Sequence, residues 1–214
     1  MSLFPQQLLQ GYRTFTSQRL PTEQSRYREL SDRGQSPEVM VIGCCDSRVS
    51  PEVIFDAGPG ELFVVRNVAN LVPVFQTDGG AHGVSAALEY AVQVLRVKHI
   101  VVLGHAQCGG IRAFIDNIEP LSPGDFIGRW MSMFIKPGET VGQRDQETMA
   151  DFTVRIEKAA VFRSLENLMT FPFVRALVED GALHLHGAYF GVAEGSLFLL
   201  DQHAKEFRGV RERA

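Results

Sequence analysis

Three short runs of apolar residues constrain the fold of this 214-residue chain more than any other feature of its sequence. The runs occupy residues 39–43, 62–65 and 100–104. Continuous apolar runs of this length are typical of strands that are buried on both faces of a parallel sheet. Between the second and third runs, apolar residues recur at helical spacing over residues 84–95. This alternation of strands and helices predicts an α/β fold, a mainly parallel sheet with helices on both faces.

Helix signals surround this central pattern. The first 36 residues show apolar residues at helical spacing, interrupted by Pro21, and predict two helices that form an arm. Ser50 and Pro51 are typical of the start of a helix, which we expect to end near Phe55. A further helix is predicted over residues 109–115.

The last third of the chain has a different order of elements. Residues 119–145 are rich in proline and glycine and predict a connecting region. A long helix is predicted over 145–169, followed by a shorter one that begins at Pro172. Alternating residues 183–186 and the apolar run within 195–200 predict a hairpin with an antiparallel edge strand.

Composition limits the class of protein. Hydrophobic residues make up 45% and charged residues 21% of the chain, so we expect one soluble α/β domain over residues 1–214, with residues 1–34 as a helical arm. The formal net charge of −4 argues against nucleic acid or an anionic membrane as the main partner. No apolar run approaches the about 20 residues of a membrane-spanning helix, and no secretory signal pattern is present, so we expect a cytoplasmic location.

Residues that bind metals follow the first and third apolar runs. Cys44 and Cys45 come after the first run, and His105 and Cys108 come after the third. Because ligands bind at the carboxyl ends of strands in open α/β sheets, we expect these side chains to converge. Two thiolates and one imidazole suit Zn²⁺ and leave a fourth position open, as catalytic zinc sites require. Spacing alone leaves open whether Cys44 or Cys45 is the ligand.

Two other interpretations of these residues stay open at this point. The cysteines could be small buried apolar residues, with His105 a hydrogen-bonded histidine at the end of a strand. Cys108 and one of the adjacent cysteines could instead act as a redox dithiol, although the chain has no Cys-x-x-Cys motif. We expect reduced thiols in either case, because three cysteines, two of them adjacent, make a poor disulfide framework.

The two metal-binding segments together resemble a known family. The pattern Cys44-x-Asp46-x-Arg48, followed by His105-x-x-Cys108-Gly-Gly, is similar to the β-class carbonic anhydrases, and in particular to their plant-like branch. The resemblance extends over about residues 35–115 and 150–201. It implies the α/β fold of that family and a zinc enzyme.

The resemblance implies a ligand set and a reaction. One Zn²⁺ per chain would be held by Cys44, His105 and Cys108, with Cys44 preferred over Cys45 because the family's ligand lies two residues before the aspartate. A zinc-bound hydroxide would then hydrate CO₂ reversibly to bicarbonate and a proton.

Asp46 and Arg48 take catalytic roles under the same resemblance. Asp46 would accept the hydrogen of the hydroxide, and Arg48 would hold Asp46 away from the metal through a charge-assisted pair. In some relatives this aspartate moves onto the zinc and closes the site. We hypothesise that Asp46 can do the same.

The resemblance also assigns substrate-binding positions and an assembly. Gln35, Phe63 and Tyr90 match the positions that form the family's substrate pocket for CO₂ and bicarbonate. Family members form homodimers or larger even assemblies in which both subunits contribute to the pocket. The N-terminal arm fits such an exchange, since it would bury little on its own chain.

Two alternative functions share the same metal site. One is a zinc hydrolase that acts on a related heterocumulene such as CS₂ or COS, in which only access to the pocket differs. The other is a zinc-binding module without catalysis, against which the presence of both Asp46 and Arg48 argues.

Overall fold

Six strands form one sheet in the computed structural model, which describes residues 4–134 and 146–210. Their order across the sheet is β2-β1-β3-β4-β5-β6, and the first four are parallel to one another while β5 and β6 are antiparallel to their neighbours. The strands span Val39–Cys44 (β1), Leu62–Asn67 (β2), His99–His105 (β3), His184–Gly191 (β4), Ser196–Asp201 (β5) and Glu206–Gly209 (β6). The predicted mainly parallel sheet is therefore confirmed.

Eight α-helices lie within the described ranges, and none of them is both long enough and apolar enough to cross a lipid bilayer. They are Gln6–Thr14 (α1), Leu20–Arg33 (α2), Pro51–Ile54 (α3), Gly83–Glu89 (α4), Gly109–Ile115 (α5), Phe126–Ser132 (α6), Met149–Leu168 (α7) and Pro172–Glu179 (α8). The predicted start of the long helix, Asp145, lies outside the described residues, as does the part of the predicted connecting region from 135 to 145.

The main core lies between one face of the sheet and three helices. Met40 and Ile100, which alternate with residues of the opposite face, belong to one buried cluster with side chains of α4, α7 and α8. The opposite face has a smaller buried cluster of Val41, Leu103 and Ala188, against which Ile54 of α3 packs. Both faces of the parallel strands are therefore apolar, which explains the continuous apolar runs of the sequence.

The N-terminal arm is one continuous helical segment, although its sequence predicts a break at Pro21. A π-helical turn, Phe15–Arg19, joins α1 to α2, and the backbone N–H of Leu20 donates to the carbonyl of Phe15 five residues earlier. Pro21 has no backbone N–H to donate to the preceding turn. The wider π-helical turn and the position of Pro21 in the first turn of α2 allow the helical segment to continue without that hydrogen bond.

Two details at the edges of the sheet differ from the prediction. β2 was expected to be a buried strand, but all six of its residues are half-buried, because β2 is an edge strand and has a neighbour on one side only. At the other edge, the predicted hairpin of β4 and β5 is present but lies one strand inward. The unpredicted strand β6 pairs with β5 and forms that edge.

Candidate metal centre

Three metal-binding side chains converge where β1 and β3 end. Cys44 is the last residue of β1, His105 is the last residue of β3, and Cys108 directly precedes α5. β1 and β3 are parallel neighbours, so their carboxyl ends meet at one edge of the sheet. The ligand atoms of these three residues all lie within 4.8 Å of one another, and all three side chains are buried. The convergence expected from the sequence is therefore present.

The geometry of this cluster fits a tetrahedral zinc ion. The two Sγ atoms of Cys44 and Cys108 are 3.9 Å apart, against a separation of about 3.8 Å expected for two thiolates on one tetrahedral Zn²⁺. His105 Nδ1 lies 2.9 Å from the carbonyl oxygen of Ala106, which fixes the ring and places the proton on Nδ1. Within the described residues, Nε2 of His105 is buried and has no hydrogen-bond partner. A buried imidazole nitrogen with a free lone pair beside two thiols is the donor set that zinc prefers.

The structure decides which of the two adjacent cysteines belongs to the cluster. Cys44 is buried, whereas Cys45 is exposed and its backbone N–H donates to the carbonyl of Asn67. Adjacent residues of an extended chain point in opposite directions, so only one of the two can face His105 and Cys108. The convergence shows that the side chains of Cys44, His105 and Cys108 are buried together and not in separate parts of the core.

The pKa of each of the two thiols, Cys44 and Cys108, depends strongly on the other thiol. A hydrogen bond from the Cys108 thiol lowers the pKa of Cys44 well below its ordinary value. The same proximity raises the pKa of Cys108, since a second negative charge would lie 3.9 Å from the first. A divalent cation between the sulfurs would remove that repulsion and allow both thiols to ionise.

Backbone N–H groups surround both sulfurs. Those of Asp46 and Ala69 lower the pKa of the Cys44 thiol, and those of Gly110 and Ile111 oppose the rise in the pKa of the Cys108 thiol, so all four favour the thiolate. Gly110 is required by the close approach of these segments, because a Cβ at this position would lie 2.5 Å from Cγ1 of Val68. The donors are therefore held by backbone packing and not by mobile side chains.

Asp46 and Arg48 form a bidentate pair beside the cluster. Nε of Arg48 donates to Oδ1 of Asp46 at 2.9 Å, and NH2 donates to Oδ2 at 2.7 Å. The guanidinium also donates to the carbonyl of Gln107 at 3.0 Å, which lies between His105 and Cys108 in the chain. The Arg48 guanidinium holds the pKa of the Asp46 carboxyl well below its ordinary value. Asp46 is thus an ionised acceptor with a fixed orientation.

Two residues of β2 that sequence reasoning left without a site role hold this region in place. Arg66 donates from Nε to the carbonyl of Cys44 at 2.8 Å and from NH2 to the carbonyl of Asp46 at 2.6 Å. Asn67 exchanges two side-chain hydrogen bonds with the backbone of Leu71, which closes the turn that contains Ala69. Arg66 and Asn67 lie at the end of β2, next to the end of β1 that carries Cys44. Their position at the end of a predicted strand is the feature of the sequence that could have identified them as site residues.

Glu157 is a buried acidic residue that sequence reasoning missed. Its Oε1 accepts from the backbone N–H of Cys108 at 2.9 Å, and its Oε2 accepts from the hydroxyl of Tyr189 at 2.6 Å. Burial raises the pKa of the Glu157 carboxyl. The feature of the sequence that could have identified Glu157 is an acidic residue close to apolar residues of the same helix that are buried, such as Ala160 and Val161. Glu157 therefore orients the start of α5 and, through it, Cys108.

Substitution of Glu157 tests this positioning role. We expect Glu157→Ala to lower the free energy of unfolding by about 3 kcal/mol, because it leaves the N–H of Cys108 and the hydroxyl of Tyr189 buried without an acceptor. Glu157→Gln keeps one carbonyl acceptor and should lose less than half as much. Denaturant unfolding of the metal-loaded proteins measures both effects. Equal stability of Glu157→Ala and the parent protein would contradict the role.

The predicted substrate-binding residues lie away from the cluster of the same chain. Phe63 and Tyr90 contact each other, with ring centroids 5.9 Å apart, and Tyr90 is 45% exposed. Phe63 pairs in register with Met40, four residues or about 13 Å along the strand from Cys44. Gln35 is exposed and precedes β1 by four residues, on the side of the chain where that strand begins and not where it ends at Cys44. One chain alone does not bring these three residues to its own cluster.

Comparison with known proteins places the chain in a family. A family model described as carbonic anhydrase matches residues 39–197, which include the whole cluster. "Beta carbonic anhydrase 5, chloroplastic" of Arabidopsis thaliana is 37% identical over 169 residues, which cover 78% of this chain. The chain belongs to the β-class carbonic anhydrase family. It spans 55%, or about half, of the length of that curated relative.

Solved structures of β-carbonic anhydrases share the fold over nearly the whole chain. The structure of CcaA has a TM-score of 0.86 at 26% identity, covering 97% of this chain and 92% of its own. A chain from a study of two tetrameric enzymes of Sordaria macrospora has a TM-score of 0.74 at 27% identity, with 96% and 98% covered. The Coccomyxa enzyme in complex with acetazolamide has a TM-score of 0.77 at 28% identity, with 93% and 87% covered.

Proposed function

We propose that this β-carbonic anhydrase family member catalyses the reversible hydration of CO₂ to bicarbonate and a proton, with one Zn²⁺ held by Cys44, His105 and Cys108. The observation that carries the proposal is the unpartnered, buried Nε2 of His105 beside two sulfurs 3.9 Å apart. Carbonic anhydrase is also the activity named for the plant relative and for the aligned structures. The redox alternative gives this nitrogen no role.

Zinc at this position would lower the pKa of a coordinated water towards neutrality and so supply a nucleophile for the carbon of CO₂. Asp46 accepts a hydrogen bond from the attacking oxygen and thereby orients its lone pair towards the substrate. Arg48 keeps Asp46 ionised and away from the metal, because both oxygens of the carboxylate are engaged by the guanidinium. The hydrogen bonds between Asp46 and Arg48 would have to break before Asp46 could move onto zinc, the movement that we hypothesise from the family resemblance.

A second copy of the chain completes the substrate pocket in this proposal. Phe63 lies about 13 Å along the strands from Cys44, Tyr90 packs against Phe63, and both Tyr90 and Gln35 are exposed. An apolar pocket with one or two hydrogen-bond donors suits CO₂. Two aromatic rings and one carboxamide from a partner subunit would supply that environment.

The N-terminal arm supplies the contact between copies in this proposal. Helices α1 and α2 bury none of their residues in the described part of the chain. Leu8 and Tyr12, four residues apart on α1, are 54% and 64% exposed and form one apolar stripe, and Phe4, just before the helix, is 49% exposed. A related structure is described as tetrameric, which agrees with an assembly of more than one chain.

Disruption of this stripe tests the assembly. We expect the double substitution Leu8→Asp and Tyr12→Asp to convert a dimer or larger assembly to monomers, because two buried carboxylates would face the partner. CO₂ hydration should fall with it, while bound zinc is retained. Sedimentation velocity and metal analysis measure the two outcomes. Gln10→Asp, on the other side of α1, is the matched control, and an unchanged assembly in the double variant would contradict the proposal.

The central experiment combines metal analysis with turnover on one preparation. We expect about one zinc per chain and a stopped-flow rate of CO₂ hydration far above the uncatalysed rate. Zinc with turnover of CS₂ or COS but not of CO₂ would favour the heterocumulene hydrolase, and zinc without turnover would favour a binding module. The cytoplasmic location and the single domain over residues 1–214 stay predictions.

A further inference from the structure

Three histidines lie together at the end of the sheet opposite to the proposed catalytic centre. His99 is the first residue of β3 and pairs in register with His184, the first residue of β4. His186 follows two residues later on the same strand, so it projects from the same face as His184. His105 lies six positions after His99 on β3, a distance of about 20 Å along the strand. The family resemblance assigns no role to these three residues.

The three imidazole rings are mutual neighbours. Nδ1 of His99 lies 3.1 Å from Nε2 of His186. The ring centroids of His99 and His184 are 5.3 Å apart, those of His99 and His186 are 5.2 Å apart, and those of His184 and His186 are 6.5 Å apart. The hydrogen bond between two imidazoles shows that one nitrogen donates while the other presents its lone pair.

We propose that His99, His184 and His186 form a second metal site, for a divalent transition-metal cation such as Zn²⁺. Two imidazole nitrogens on one tetrahedral zinc are about 3.3 Å apart, close to the 3.1 Å between His99 and His186. A cation bound to both nitrogens at about 2.0 Å would lie to one side of the line that joins them, so both rings would lose their shared proton and turn towards the cation. His184 supplies the third nitrogen after a rotation of its ring, which is now stacked on His99 with an interplanar angle of 25°.

The surroundings of the three histidines favour metal binding. Burial, together with the neighbouring imidazoles of His99 and His184, lowers the pKa of His186, so its ring is neutral and competent as a ligand near pH 7. His184 and His186 also line an open cavity of about 560 Å³, which gives a cation and its remaining water ligands access from solvent. Three imidazoles would leave one tetrahedral position for such a ligand.

A zinc titration of the purified protein that retains its own metal tests the second site. We expect the parent protein to bind one further Zn²⁺ per chain at micromolar concentration, measured by calorimetry and by elemental analysis after equilibrium dialysis. His184→Ala and His186→Ala should each weaken this binding by about tenfold or more. Loss of a residue that only hydrogen-bonds to a metal ligand already weakens metal binding by about tenfold, and these two residues are the proposed ligands themselves. The metal bound at Cys44 and Cys108 should be retained, which also shows that the variants fold.

Two controls separate this site from other zinc binding. His82→Ala removes an imidazole that lies 2.8 Å from a carboxylate elsewhere on the surface, and it should leave the further equivalent unchanged. Cys108→Ser removes the catalytic ligand set but not the histidines, so the further equivalent should persist. Absence of a further equivalent in the parent protein, or its persistence in a variant that lacks all three histidines, would overturn the proposal.

Discussion

Replacement of Cys108 by serine is expected to release the metal and abolish CO₂ hydration. A serine hydroxyl is a far weaker zinc ligand than a thiolate, and the remaining Cys44 and His105 would provide two ligands where catalytic zinc needs three. Mutation of one ligand therefore removes both the metal and the activity that depends on it. Elemental analysis and stopped-flow turnover on the same sample measure the two losses together.

Cys44→Ser should behave in the same way, and Cys45→Ser is the matched control. Cys45 is adjacent in sequence but exposed, and its side chain lies outside the cluster. We therefore expect Cys45→Ser to keep full zinc content and turnover. Loss of metal from all three variants alike would refute the assignment of ligands.

Removal of the Asp46 carboxylate is expected to have the second largest effect. Asp46→Ala should retain zinc, since the cluster contains no atom of Asp46, but should lower turnover by about a hundredfold or more. The reason is that the attacking oxygen would lose the ionised acceptor that Arg48 now holds in place at 2.7 and 2.9 Å. Stopped-flow measurement near pH 8, with zinc content determined in parallel, separates catalysis from metal loss.

A surface pair provides the control for this effect. Arg112 and Asp116 form an ion pair of similar length, 2.6 Å, in which both side chains are substantially exposed. Asp116→Ala removes a carboxylate from an arginine without touching the cluster, so turnover should be unchanged. An undiminished rate in Asp46→Ala would remove Asp46 from the mechanism.

The parallel core of the fold could be predicted because its signal is local. Residues 39–43 of β1 and 100–104 of β3 are apolar at every position, which few arrangements other than a sheet covered on both faces can satisfy. Once both runs were predicted as strands of one parallel sheet, the convergence of Cys44 with His105 could be expected from the carboxyl ends that they share. The β2 edge and the strand β6 could not be predicted in this way, because the position of a strand within a sheet depends on its partners.

The supporting residues of the site were harder to predict for a related reason. Glu157 and Cys108 are 49 residues apart, and their hydrogen bond depends on how α7 packs across the ends of β3 and β4. Arg66 reaches the backbone of Cys44 only because β2 pairs with β1 in one particular register. No local pattern encodes either contact.

By itself, the amino-acid sequence determined the α/β class, the two segments that carry metal-binding side chains and the family to which they are similar. These are properties of apolar periodicity and of residue order, and both are present before the chain folds. The tertiary structure gave the geometry of two contacts that the resemblance only implied, Cys44 facing His105 and Arg48 holding Asp46, and it alone decided that three histidines meet at the far end of the sheet. Each of these depends on strand register and side-chain direction, which arise only when distant segments pack against one another.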